Sequence, residues 1–112
     1  MVPLDEEISR LLRLPAAGTG APSLAAVEAT LTDGYAEALA LETERWRLER
    51  RLGEVARAAG DRASMRELAT LSERLSSADG ELVKLRTLLG SLQERARALR
   101  ASTRDLRTRS LG

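Results

Sequence analysis

Histidine and cysteine are both absent from the 112 residues. The side chain best suited to moving protons near neutral pH and the thiolate nucleophile are therefore missing together. Chemistry would fall to carboxylates and guanidinium groups. Glu6 with Glu7, and Glu42, Glu44 and Glu49, are the closest acid groupings. In a chain that is 31% charged, they read as solvated helix faces and not as a general acid and base. A metal site would need Cys or His ligands or the alternating oxygen ligands of a calcium loop, and the sequence offers neither pattern. Gly18-Thr19-Gly20 is not followed by the lysine and helix start of a phosphate loop. The expectation is a non-enzymatic protein without cofactor or metal.

One cationic group remains. Arg95, Arg97, Arg100, Arg104, Arg107 and Arg109 give residues 95–112 a charge of +5 against Asp105. Such a tip suits phosphates of nucleic acid or an anionic membrane surface, which makes that binding the alternative function. Three facts weigh against it: a net charge of only +1, no aromatics interleaved for base stacking, and a strong bias to Arg over Lys throughout the chain.

The elements that position these groups are helices. Ala, Glu, Leu, Arg and Lys fill 69 of the 112 positions, more than the roughly one-half that marks long helices and coiled coils. With Tyr35 and Trp46 as the only aromatics and five aliphatic β-branched residues, a sheet has little to be built from. The prolines and glycines of residues 15–22 break the chain into a head and a body. In the head, residues 1–14, Leu4, Ile8, Leu11 and Leu12 fall at helical spacing. At about ten residues this amphipathic helix needs a docking surface, in cis or in trans.

The body, residues 23–112, carries two seams of alternating three and four spacing. Ser23 caps the first helix, residues 23–59. Its seam runs through Leu24, Val27, Leu31, Gly34, Ala38, Leu41, Arg45, Leu48, Leu52, Val55 and Ala59. Gly60 is expected as a left-handed C-cap, residues 60–63 as a tight turn, and Ser64 with Glu67 as a capping box opening a second helix, residues 64–108. The second seam runs through Leu68, Leu71, Leu75, Ala78, Leu82, Leu85, Leu89, Leu92, Ala96, Leu99, Thr103 and Leu106. A short turn forces an antiparallel pair. Charge agrees: residues 1–44 carry −6, and folding about the turn sets Glu28, Asp33, Glu37 and Glu42 beside the arginines of the far end. The fold class is thus all-α, a long antiparallel coiled-coil hairpin with a short N-terminal helix on a Pro/Gly linker. A break at Thr32-Asp33-Gly34 is the alternative to a continuous first helix, and the segment around Ser76, Ser77 and Gly80 is expected to be loose.

Two further groupings follow from the heptads. Tyr35, Leu39 and Trp46 share an arc about 100° from the first seam. They could lie beneath the N-terminal helix. The reading adopted is an interface to a second copy, as a homodimeric four-helix bundle, or to a partner protein. Arg45 interrupts an otherwise apolar seam opposite Ala78 and Asp79, so an Arg45 to Asp79 contact, shared with Glu81, is expected to set the register as a buried pair. Outward snorkelling of Arg45 is its alternative. Without a bilayer-length apolar run, and with Asp5, Glu6 and Glu7 in place of a signal peptide's basic flank, a cytoplasmic structural or adaptor protein is expected, acting through helix packing.

Overall fold

The computed structural model describes residues 3–58 and 60–111, with the side chains of 109–111 excepted. It is an all-α helical hairpin with an added N-terminal helix: α1 spans Leu4–Arg13, α2 Leu24–Ala58 and α3 Arg62–Leu111. None of these helices is long and apolar enough to cross a membrane.

Local chemistry sets the helix ends. In α1, Asp5, Glu6 and Glu7 occupy the first turn and Arg10 and Arg13 the last, which complements the helix dipole at both ends. Glu7 holds Arg10 through both carboxylate oxygens, at 2.6 and 3.3 Å, and this hydrogen bond keeps its carboxyl below the usual value. The residue before Pro15 cannot stay helical. Leu14 accordingly swings to ψ 157°. Gly18 and Gly20 then adopt φ of 77° and 88°, a region that a side chain makes costly. Ser23 caps α2, its Oγ accepting the Ala26 N–H at 3.1 Å.

The second junction differs from its sequence reading. Gly60 is not left-handed; positive φ among the described residues is confined to Gly18 and Gly20. Ala59 lies outside the described residues. Asp61, not Ser64, is the cap: its carboxylate accepts the Ser64 N–H at 2.7 Å, which lowers its pKa and starts α3 at Arg62. The bond is charge-assisted, and capping from Asp61 moves the boundary two residues upstream. Residues 32–34 and 76–80 are uninterrupted helix, so neither glycine breaks its element.

Two compact units divide the chain. One, Glu37–Lys84, is a pair of antiparallel helical arms. Its core is Leu48, Val55, Leu71 and Ala78, with Leu52, Leu68 and Leu75 packed around it. Surface ion pairs cross between the arms: Arg51 to Glu67 at 2.8 Å and Arg74 to Glu44 at 3.3 Å.

The other unit contains α1, α2 up to Ala36 and α3 from Leu85. Here a third helix completes the core. Ile8, Leu11, Val27 and Leu92 are almost fully buried, with Leu31, Leu85, Leu89 and Ala96 around them, each large side chain contributing about 1.5–3 kcal/mol by leaving water. Gly34 is buried on the seam, and a Cβ there would overlap Leu89 Cδ2 and stand 3.3 Å from its Cγ; glycine is what lets α2 and α3 approach. The apolar pattern outruns its cover at the C-terminal end. Residues 101–108 are all exposed, so Thr103 and Leu106, assigned to the seam by spacing alone, lie in solvent.

Candidate functional site

Periodicity along α2 generates an outer line opposite the hairpin seam. Ala25, Ala29, Thr32, Ala36, Leu39, Thr43, Trp46 and Arg50 follow at alternating four and three residues, and every one is exposed. The line is uncharged until its last member, in a chain that is 31% charged. Leu39 is 64% and Trp46 55% exposed. The Thr32 and Thr43 hydroxyls donate to the Glu28 and Leu39 carbonyls at 3.0 Å, so neither requires an outside partner. Arg50 lies over the Trp46 ring at 4.8 Å from its centroid, a cation–π contact that holds the indole against the helix.

Tyr35 borders this line and is half-exposed. Its hydroxyl donates to Gln93 Oε1 on α3, so the tyrosine is tethered to the hairpin partner and does not face wholly away from it.

The N-terminal helix leaves the line uncovered. The Arg95 guanidinium, part-buried, donates to the Leu14 carbonyl at 2.8 Å and the Leu12 carbonyl at 3.0 Å. It thereby satisfies the orphan acceptors at the end of α1 with a cation. Thr30 is buried in the same unit. Sequence reasoning missed both. Arg95 looked like one cation of a basic tip, and Thr30 is a lone polar residue off the seam.

That basic tip is thereby reduced. Arg95 is committed to α1. Arg100 donates to Glu28 Oε1 at 3.2 Å from its terminal nitrogen. Arg97, Arg104 and Arg107 are exposed; the side chain of Arg109 lies outside the described residues.

Arg45 Nε sits 2.9 Å from Asp79 Oδ1 and 3.2 Å from Glu49 Oε1. The second acid is Glu49, on the same helix, in place of the expected Glu81. The side chains of Arg45 and Asp79 are 43% and 47% exposed, so the pair is a surface contact and not the buried charge expected from the seam. The guanidinium reaches out along its methylenes to water and acids alike. Glu7, Glu44 and Glu49 each hold an arginine. Among the described residues, no group of three or more acidic side chains could hold a metal ion.

The line presents small and large side chains to solvent along α2. Compared with known protein families, with curated proteins and with solved structures, the chain has no match.

Proposed function

We propose that the protein is a non-enzymatic structural or adaptor module that acts in the cytoplasm by packing the outer face of α2 against another helix. One observation carries this reading. Leu39 and Trp46 stand exposed on a single line of α2 that neither α3 nor α1 covers, and Tyr35 borders it. Apolar side chains gathered on one face mark contact sites, and tryptophan is enriched where such contacts contribute most. The other exposed large apolar side chains of α3, Met65, Val83 and Leu106, are well separated in sequence and form no comparable line.

The test places a photoreactive amino acid at position 39 of the full chain in the cells that express it. Light should yield discrete adducts from position 39 and far fewer from position 65, which is equally exposed. Absence of adducts at 39, or equal labelling at both positions, contradicts the reading.

The exposed Arg97, Arg104 and Arg107 favour the second reading, contact with nucleic acid or an anionic membrane. An affinity for DNA or anionic vesicles that falls steeply as salt rises would support it. The engagement of Arg95 and Arg100 by the protein itself leaves fewer cations for that role.

A further inference from the structure

We propose, resting on the function above, that the helix received by α2 is an acidic one, which sets apolar side chains on Leu39 and Trp46 and carboxylates on Arg50 and Arg57. The surface lies wholly within the unit Glu37–Lys84. Two independent features of it lead there.

The first is spacing. Leu39, Thr43, Trp46, Arg50, Gly53 and Arg57 follow at alternating four and three residues, so they share an arc of about 80° on α2. The pattern is that of a coiled-coil seam, apolar over its first half and cationic over its second. Both guanidinium groups lie on the line itself. Arg50 stacks over the Trp46 ring, and a terminal nitrogen of Arg57 comes within 4.0 Å of where a Cβ on Gly53 would stand. A helix packed along this line meets it every seven residues, so its facing positions run as two apolar side chains followed by two acids, the members of each pair about 10.5 Å apart.

The second feature is charge. The acids that flank the line are already held: Glu49 by Arg45 at 3.2 Å, Glu54 by Arg51 at 3.5 Å, and Glu42 has a partner of its own. Arg47, Arg50 and Arg57 are exposed, and among the described residues no acid forms an ion pair with any of them. This stretch of α2 therefore offers three uncompensated cations beside Trp46, and a partner of opposite charge complements them. The flanking carboxylates also select the kind of anion. A membrane surface or a nucleic-acid backbone would press its phosphates on Glu42, Glu49 and Glu54 as well as on the arginines. A helix brings its carboxylates only to the positions where the arginines stand.

The probe is a synthetic helical peptide of about three heptads, with leucine at the positions facing 39 and 46 and glutamate at those facing 50 and 57, compared with the same peptide carrying lysine for glutamate. Anisotropy of the labelled peptides against the full chain should show the glutamate peptide bound about ten times more tightly than the lysine peptide. In the variant Arg50→Glu with Arg57→Glu the preference should reverse. Both arginines are exposed, so the variant's circular dichroism should match that of the parent. Equal affinity for the two peptides, binding of neither, or a preference unchanged in the variant overturns the acidic partner. Co-sedimentation with phosphatidylserine vesicles without binding of either peptide overturns it in favour of a lipid surface. Adducts at position 39 together with any of these results would keep helix docking and remove only the acidic partner.

Discussion

The two compact units are built from the same repeat and finished differently. Where α1 joins α2 and α3, side chains reach complete burial: Leu92 and Ile8 are 0% exposed. In the two-helix unit Leu82 is also buried, at 1%, but the core of Leu48, Val55, Leu71 and Ala78 keeps 5–8% exposure, and Leu52, Leu68 and Leu75 are only partly covered. A pair of helices shields one stripe from both sides only, while a third closes the groove between them. The N-terminal helix is therefore part of one core and not an accessory.

Core truncation should separate the units most strongly. Leu92→Ala is expected to cost about 4–5 kcal/mol and Leu48→Ala about 2–3 kcal/mol by denaturant unfolding, since a site closed on all sides relaxes least around a cavity. Equal costs would remove the distinction.

Arg95→Leu should come next, lowering the docking of α1 by about 2 kcal/mol, because it removes charge-assisted hydrogen bonds to the two carbonyls. Faster proteolysis in residues 15–22, with the remaining helices still protected, is the readout.

Two glycines sharpen the same contrast with opposite signs. Gly80→Ala meets open space and should stabilise by about 0.5–1 kcal/mol through helix propensity. Gly34→Ala gains the same propensity but drives a methyl into buried Leu89, and overpacking of about 1–3 kcal/mol should leave it net destabilised. Thermal melts decide the sign of each.

The smallest effect concerns pH at the α3 cap. The Ser64 N–H depresses the Asp61 pKa. Its contribution is present above the ordinary aspartate value and is lost as pH falls through the lower folded value, below about pH 4. Asp61→Asn should flatten the acid-side fraying of α3 seen by amide exchange.

The helices and their antiparallel sense were legible in the sequence, because leucine spacing and charge asymmetry act over many residues at once. What escaped depends on single atoms. Asp61 displaced Ser64 as cap because its ionised oxygen accepts the Ser64 N–H and so starts the helix upstream of Ser64. Arg45 left the core because its stem is long enough to reach water while its head meets Asp79 and Glu49. Thr103 and Leu106 keep the seam's spacing at the end of α3, and spacing alone cannot show that nothing covers them. Arg95 found its partners in backbone carbonyls, which have no side-chain signature.

Trp46, the only tryptophan, reports directly on the central claim that the outer face of α2 is a docking surface. Its 5-fluorotryptophan form should be followed by fluorine NMR on the intact protein, alone as concentration rises and in an extract of the cells that express it. A shift or broadening of the single resonance in either setting is the predicted result. A sharp, solvent-exposed resonance in both would contradict it.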